Sequence, residues 1–309
     1  MPDVVVSGIS RTGGGRRRPS GLRAKGRMRI LVVILATLAG TPALAQVDFT
    51  GTWAPRLHED QPERIPGPEL GDYVGLPITD GARRFAESWD PSRITLPEQQ
   101  CRVHVSPYIY RGPLQLRIGE QRDPLTQELI AIIHRISTYD QQRVIYMDGR
   151  PHPDELTPHT WMGFSTGRWD GDRLVVRTTH IKQGWHRRNG IPMSDRAELT
   201  EHFVLIDDVF TRISVLHDPV YLTEPLVKSE EFVRNPRGLQ PLLYQCKPVV
   251  EVATRVKGDV PHYLPGENPF LHEYRDRFGI PEIGSRGGAE TMYPDYLPTL
   301  RRYIGEAQP

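Results

Sequence analysis

The sequence predicts a mainly β protein in which an antiparallel sheet closes into a barrel, with one short helix and Pro-rich arms on the surface. The first reason is that apolar and polar residues alternate through residues 143–216 with the period of two that half-buried strands require. The second reason is the acidic turn residues between these runs. The third is the number of candidate strands, at least eight, because closing such a sheet removes its unpaired edges.

The elements follow in chain order. Candidate strands are bounded by turn residues and comprise residues 47–53, 114–120, 129–139, 143–147, 161–169, 173–180, 197–206, 210–216 and 226–233. Asp170-Gly171-Asp172 is the best hairpin turn, and Asp148-Gly149 is a second strong turn signal. Thr79 can cap a helix that runs to Trp89. Residues 55–77 are rich in Pro and Gly, so they should wrap over the surface.

The first 45 residues have the three parts of a secretory signal peptide. Arg27 and Arg29 form a positive flank, residues 30–39 form an apolar run too short to span a membrane, and Ala43-Leu44-Ala45 forms a cleavage site. We expect cleavage after Ala45, a periplasmic or secreted protein and no membrane span; Met28 is a second candidate for the start of the chain. Residues 46–259 then form the barrel domain with its N-terminal Pro-rich wrap, and residues 260–309 form an irregular C-terminal arm.

The charge of the mature chain argues against nucleic acid as a partner. Residues 1–45 hold eight of the 39 Lys and Arg residues and one of the 38 Asp and Glu residues, which leaves 31 basic and 37 acidic residues, a net charge of −6. A mildly acidic chain without basic runs lacks the cationic surface that binds phosphate backbones. We expect a monomer or a weak dimer.

Both cysteines, Cys101 and Cys246, belong to the mature chain. In an oxidising compartment we expect a disulfide between them, which would join the start of the barrel to its last strand. The alternative is a pair of buried thiols. Neither cysteine has the Cys-x-x-Cys spacing of a redox or zinc site, so no catalytic role is assigned to them.

Several motifs resemble those of a large family of exported, mostly uncharacterised bacterial proteins. The motifs are Tyr146-Met147-Asp148-Gly149-Arg150-x-His152-Pro153, Trp161-Met162-Gly163-x-Ser165-x-Gly167-x-Trp169-x-Gly171-Asp172 and Leu174-x-Val176-x-Thr178-Thr179. The resemblance covers nearly all of the mature chain. It implies export and a lipocalin-like barrel, whose first strand often ends in a Gly-x-Trp pattern such as Gly51-Thr52-Trp53. It implies no particular activity.

The first candidate site follows the strand that ends near residue 147. His152 and His159 are candidate acid–base residues, because an imidazole gains and loses a proton near neutral pH. Arg150 could bind an anionic group, and Trp161 could stack on a ring. The alternative is that Asp148-Gly149 only forms a turn and that His152 bonds a backbone carbonyl.

The second candidate site is a predicted polar loop over residues 181–195, which carries Trp185 and His186. His180 precedes this loop at the expected barrel rim, where cup-like barrels admit ligands. Glu201 would be a general base with a raised pKa if it pointed into the barrel. The alternatives are a solvated loop, whose cations include Arg187 and Arg188, and a hydrated Glu201 on the outer face.

These residues predict a barrel whose interior binds a small hydrophobic or aromatic ligand. The ligand-binding residues would be Arg150, Trp161, Trp185 and His186, and the proton-transfer residues would be His152, His159, His180 and Glu201, with no cofactor and no metal. Isomerase, lyase and hydrolase reactions all fit this inventory. Two other hypotheses remain open: a structural or partner-binding envelope protein, and a metalloenzyme built on the histidines.

Overall fold

The computed structural model describes residues 47–56, 71–90, 92–93, 96, 102–110, 115–186, 189–238 and 258–306. The strands are β1 (Gly51–Arg56), β2 (Leu116–Arg122), β3 (Leu129–Ile136), β4 (Gln141–Tyr146), β5 (Phe164–Asp170), β6 (Arg173–Thr179), β7 (Gly184–Trp185), β8 (Pro192–Met193), β9 (Glu198–Ile206), β10 (Val209–His217) and β11 (Leu226–Arg234). The α-helices are α1 (Asp80–Glu87), α2 (Ser106–Ile109), α3 (Glu273–Phe278), α4 (Glu282–Arg286) and α5 (Leu297–Glu306). The predicted leader, the predicted cysteine pair Cys101 and Cys246, and Arg187 and Arg188 lie outside the described residues.

The prediction of a closed β-barrel is confirmed. Within the described ranges, nine strands close in the order β1-β11-β10-β9-β6-β5-β4-β3-β2, and β7 pairs separately with β8. Neighbouring barrel strands are antiparallel except β4 and β5, which run parallel where Ile145 pairs with Ser165 and Tyr146 with Thr166. The expectation of a wholly antiparallel barrel is therefore wrong at one seam, because a ring with an odd number of strands cannot reverse direction at every pair.

The parallel seam follows from the segment after β4, which is not the hairpin that Asp148-Gly149 indicates. Gly149 does turn the chain, with φ +75°. Three prolines then follow, at 151, 153 and 158, and proline cannot donate the hydrogen bonds of a paired strand. This segment, the excursion (residues 147–163), crosses the outer face of β5 and β6 and re-enters the sheet in the direction of β4. Neighbouring parallel strands require a connection of about this length.

The hairpin predicted at Asp170-Gly171-Asp172 is confirmed, and a second hairpin joins β9 to β10. β5 and β6 pair continuously up to Asp170 and Arg173, and Gly171 between them adopts φ +65°. β9 and β10 pair up to Ile206 and Val209, with Asp207 at φ +52°. Positive φ values at the turn match the twist of the two strands in a tight hairpin.

Helix α1 begins where the sequence predicts, since the Thr79 hydroxyl accepts a hydrogen bond of 3.2 Å from the Ala82 amide. It ends at Glu87, two residues before the predicted end. Its buried face belongs to a second core, which it forms together with Ile181, Ile191 and Met193 and with inward-facing residues of β9 and β10 such as Leu199 and Leu216. The expectation of a polar loop over residues 181–195 is therefore wrong, because these apolar side chains are fully buried and the segment forms the β7–β8 hairpin.

The C-terminal arm is also more ordered than the sequence predicts. It contains α3, α4 and α5, with 3-10 turns at Pro269–His272, Ala289–Met292 and Pro294–Tyr296. The arm packs near α1, where the Asn268 side chain donates to the Glu87 carbonyl at 2.8 Å. Among the described residues, no helix has the length and apolar content that crossing a bilayer would need.

Aromatic side chains fill one end of the barrel. Phe49 lies 5.5 Å from Phe210 and 6.4 Å from Phe203, measured between ring centroids, and Phe210 stacks on Phe232 at 5.5 Å. The Trp53 indole donates to the Phe49 carbonyl at 3.0 Å and is fully buried. Tightly packed aromatic rings leave little free volume at this end.

Four charged side chains cross the middle of the barrel and form the buried ion-pair network (Arg143, Glu201, Arg212, Glu230). Arg143 donates from both terminal nitrogens to the Glu201 carboxylate, one of them at 2.9 Å. Arg212 bridges Glu201 and Glu230, at 2.6 Å to each. The side chains are at most 1 % exposed. Two positive and two negative charges balance, as burial requires.

Neutral groups complete this network. Arg143 also donates to Ser165, at 3.1 Å, and to Thr178, at 2.8 Å. Tyr110, which follows helix α2, accepts from Arg143 at 3.2 Å and bonds His134 at 2.7 Å. The network therefore ties β3, β4, β5, β6, β9, β10 and β11 to one another across the barrel.

Glu201→Gln is expected to lower the free energy of unfolding by about 3–5 kcal/mol, because it leaves two buried guanidiniums with one carboxylate. Glu198→Gln is the matched control on the same strand, since Glu198 pairs with Arg177 at 2.8 Å in an ion pair about half exposed. It should cost at most about 1 kcal/mol. Urea unfolding of both variants measures the difference, and equal effects would show that burial of the network does not matter.

Acidification tests the histidine beside this network. Burial, together with the positive charge of Arg143, lowers the pKa of His134 from 6.5 to about 3. The unfolded state therefore binds more protons between these two pH values, so the free energy of unfolding should fall as the pH drops through that window. In urea unfolding measured across this pH range, the free energy of unfolding of His134→Gln should depend less steeply on pH, by the slope that corresponds to about one proton. The control His262→Gln, at an exposed position, should keep the pH dependence of the parent protein. Identical slopes in both variants would contradict the lowered pKa of His134.

Candidate functional site

A groove outside the barrel brings together two of the predicted ligand-binding residues. It has a volume of about 440 Å³. This tryptophan groove is lined by Phe85, Arg93, Arg102, Trp161, Lys182, Gln183, Gly184 and Trp185. Helix α1, the end of the excursion, the β7–β8 hairpin and the separate residues Arg93 and Arg102 supply the lining, so chain segments added to the barrel build the groove.

The lining is cationic and aromatic. Arg102 and Lys182 lie over the Trp161 ring, at 5.3 and 4.8 Å from its centroid. Arg93 lies 5.8 Å from the centroid of Trp185. The lining residues include no carboxylate. Cations placed on tryptophan faces, in a lining that includes no carboxylate, favour a negatively charged, ring-containing ligand.

A short parallel ladder positions Trp161 and Lys182. Thr160 pairs with Ile181, with a hydrogen bond of 2.9 Å from the Thr160 amide to the His180 carbonyl and another of 2.9 Å from the Lys182 amide to the Thr160 carbonyl. Side chains two residues apart on a strand share a face. Trp161 and Lys182 therefore lie side by side, and His159 and His180 form the preceding pair on that face.

Packing against α1 holds Trp185 in place. Its ring lies 4.6 Å from that of Trp89 in an edge-to-face contact and 5.7 Å from that of Phe85. Gly184 allows the hairpin to approach the barrel end, because a Cβ atom there would lie 2.8 Å from Val105. Gly190, at φ +82°, similarly lies against Trp89. The groove wall is thus set by close backbone approaches that only glycine permits.

In the described part of the chain, the aromatic cluster and the buried ion-pair network occupy the barrel interior, where the sequence predicts a ligand cup. Behind Trp185, at the barrel end, lies a cavity of about 20 Å³ lined by residues that include Tyr108, His186 and Leu199. That volume suits about one water molecule. His186 is 4 % exposed and lies on the barrel side of Trp185, so it does not line the groove.

Glu201 is not the general base that the sequence predicts. Burial alone would raise the pKa of its carboxyl, but Arg143 and Arg212 outweigh that effect and lower it from 4.5 to about 2. A carboxylate this acidic, held by two guanidiniums, is a poor proton acceptor at neutral pH. The network holds Glu201 inside the barrel, away from any ligand in the groove.

Arg150 also lies elsewhere than predicted. Its guanidinium pairs with Asp148, with Nε 2.9 Å from one carboxylate oxygen, and it stacks on Tyr146 at 3.8 Å. Hydrogen bonding to Arg150 lowers the pKa of Asp148. Both residues flank the start of the excursion and are absent from the groove lining.

His152 and His180 are joined through Thr179 on the outer face of the barrel. The Thr179 hydroxyl lies 2.8 Å from the Nδ1 atom of each imidazole. His152 Nε2 bonds Thr166 at 2.8 Å, and His180 Nε2 bonds the Asp154 carbonyl at 2.9 Å. Burial, with the charges of Arg177 and His180, lowers the pKa of His152 and favours its neutral form.

The donors and acceptors available in this series of hydrogen bonds fix the direction of each bond. The Asp154 carbonyl can only accept, so His180 must donate from Nε2 and, when neutral, accept at Nδ1. Thr179 therefore donates to His180 and accepts from His152 Nδ1. The remaining nitrogen, His152 Nε2, accepts from the hydroxyl of Thr166. All four ring nitrogens are thus used to pin the excursion to the barrel wall.

His159 differs from these two histidines. Its Nδ1 donates to the Ile181 carbonyl at 3.1 Å, which leaves Nε2 without a hydrogen bond among the described residues. Its ring centroid lies 5.1 Å from that of His180. Across the described chain, no group of three or more His, Cys, Asp and Glu side chains is arranged to hold a metal ion.

Sequence reasoning missed four groove residues as ligand-binding residues: Phe85, Arg93, Arg102 and Lys182. Phe85 follows the helical spacing of α1, which equally predicts a core residue. The three cations come from separate segments, and no local spacing indicates that they meet. Only the cationic loop that includes Lys182 offered a partial signal.

Comparisons with known proteins do not identify the chain. No protein-family model matches it, and no curated protein matches it. Among solved structures, the crystal structure of a mutant of the fluorescent protein UnaG is similar over 61 % of this chain and 96 % of that chain, at 14 % identity and a TM-score of 0.27. At that TM-score the likeness carries no inference about ligand or activity.

Thr179→Val is expected to lower the free energy of unfolding by about 1–3 kcal/mol, because two imidazole nitrogens lose their shared partner while the branched shape is kept. Thr200→Val on the outer face of β9 is the control, expected within about 0.5 kcal/mol of the parent protein. Urea unfolding measures both. If the two variants are equally stable, the hydroxyl bridge does not pin the excursion.

Proposed function

We propose that this protein binds a small, anionic, ring-containing molecule in the tryptophan groove. The observation that carries the proposal is a lining of three aromatic and three cationic side chains without a carboxylate. The groove volume of about 440 Å³ lies in the range of small-molecule sites, roughly 300–1,000 Å³. The proposal keeps the aromatic ligand expected from the sequence, adds a negative charge to that ligand, and moves its site from the barrel interior to the outer groove.

Trp161 supports the ring-binding part of the proposal. Its indole already carries Arg102 and Lys182 over its face, and a flat ligand can stack on the same ring system. Phe85 and Trp185 supply further apolar surface, and their mutual packing fixes their orientation. Because rigid aromatic walls are already ordered, they lose little conformational entropy when a ligand binds.

Lys182 and Arg93 support the anion-binding part. Among the described residues, neither has a carboxylate partner within ion-pair distance, whereas the two cations of β6, Arg173 and Arg177, are paired with acids. Arg93 Nε is buried and makes no hydrogen bond in the described structure. A carboxylate or phenolate in the groove would satisfy this donor, which otherwise carries a desolvation cost.

We further propose that this binding takes place outside the cytoplasm. The support is the sequence of residues 1–45, whose basic flank, apolar run and Ala-x-Ala ending are those of a signal peptide. The motif resemblance to exported bacterial proteins supports the same proposal. Fractionation of cells expressing the full chain, with determination of the mature N-terminus, tests it.

Binding of 2-naphthoate, followed by calorimetry and tryptophan fluorescence, tests the groove. We expect Lys182→Met to weaken binding of 2-naphthoate about tenfold, which corresponds to about 1.4 kcal/mol. The same variant should leave binding of neutral 2-naphthalenemethanol unchanged. Trp161→Leu should weaken binding of both compounds, because the stacking surface is lost.

Arg173→Met is the matched control, because Arg173 lies at the hairpin end of β6, opposite the groove. It should bind 2-naphthoate like the parent protein. If Arg173→Met and Lys182→Met have equal effects, or if neither naphthalene compound binds, the proposed site is wrong.

A further inference from the structure

The ladder that positions Trp161 and Lys182 continues to two histidines, which lie beyond the residues that line the groove. The pairing of Thr160 with Ile181 puts His159 beside His180 and Trp161 beside Lys182 on one face, as the ring contact of 5.1 Å and the ammonium–ring contact of 4.8 Å show. Two residues along a strand correspond to roughly 7 Å. A bicyclic ligand stacked on Trp161 is long enough to reach across that interval.

The hydrogen bonds made by the ring nitrogens distinguish His159 from His152 and His180. Both ring nitrogens of His180 bond within the protein, and so do both of His152. His159 uses only Nδ1, and its partner is a carbonyl that can only accept. The neutral ring is therefore held in the tautomer that leaves a lone pair on Nε2, which is the form of imidazole that removes protons.

The backbone beside His159 is held in an unusual conformation. His180 adopts φ +57° although it is not glycine, and its imidazole is fixed at both nitrogens by Thr179 and the Asp154 carbonyl. Residues outside the usual φ range persist where the surrounding structure imposes them, often at functional sites. Here the imposed turn sets the ring of His180 against that of His159.

We propose that His159 is a general base for the ligand in the tryptophan groove, so that the protein catalyses proton transfer on ring-containing acids or phenols. This inference rests on the proposed function. His159 Nε2 would remove a proton from carbon or oxygen next to the ring. Lys182 would stabilise the negative charge that develops on the ligand, and the proton would return to the ligand or pass to water. Isomerisation and elimination are reactions of this class, and neither needs a cofactor.

A probe reaction tests the base without knowledge of the natural substrate. In 5-nitro-1,2-benzisoxazole, removal of the C3 proton lets the C–H electron pair form the third bond of a nitrile. The N–O bond breaks, and its electrons become the lone pair of a coloured phenolate. The flat ring suits Trp161, the proton goes to His159 Nε2, and the phenolate faces Lys182.

The parent protein should accelerate this reaction above an equal concentration of free imidazole. His159→Gln should lower kcat/KM by about 10²-fold, the size typical of a positioned base. Binding of 2-naphthoate should persist in this variant, which shows that it is folded. His202→Gln on the outer face of β9 is the control and should retain the parent rate.

Each other outcome has a definite meaning. If 2-naphthoate binds but the parent protein is no faster than free imidazole, or if His159→Gln keeps the parent rate, His159 is not a general base and the binding groove stands. If 2-naphthoate does not bind, the proposed function fails and this inference fails with it.

Discussion

The barrel depends on the balance of four buried charges. Arg143, Glu201, Arg212 and Glu230 project inward from β4, β9, β10 and β11 and are at most 1 % exposed. Each carboxylate and guanidinium pays a large desolvation cost that only its partners offset, so the side chains must meet in one arrangement. The strand register follows from this requirement, because a shift by one residue would turn each charge out of the barrel.

The same network decides where a ligand can bind. Charges at mid-height and aromatic rings at one end occupy the space that a cup-like barrel would leave for a ligand. The proposed binding site is therefore built by segments outside the wall, which include the excursion, the β7–β8 hairpin and helix α1. The rigid sheet positions these segments, and their irregular backbone carries the groups that could contact a ligand.

Local signals in the sequence predicted local structure well. Thr79 caps α1 because its hydroxyl lies next to an amide three residues later, and Asp170-Gly171-Asp172 turns the chain because glycine accepts a positive φ. The same kind of signal failed at Asp148-Gly149, where the turn forms but the prolines that follow prevent an adjacent strand. The parallel seam depends on the strand count of the closed ring, which no single segment reveals.

At the candidate site, too, the sequence predicted residue types but not the contacts between distant residues. Trp161, Trp185 and His159 were predicted from their residue types, and the structure places the two tryptophans on one groove with His159 beside it. The pKa of Glu201 was predicted in the wrong direction, because the sequence shows that a carboxylate can face inward but not that two guanidiniums from distant strands meet it. Phe85, Arg93 and Arg102 were missed for the same reason.

By itself the sequence determined the strands of the barrel, most of their tight turns, the helix cap and the types of side chain available for chemistry, because these depend on neighbours within a few residues. Only the tertiary structure decided which inward positions hold charges, which strand pair runs parallel, and which cations share a groove with Trp161 and Trp185. These outcomes depend on contacts between residues far apart in the chain, and closure of the barrel brings those residues together.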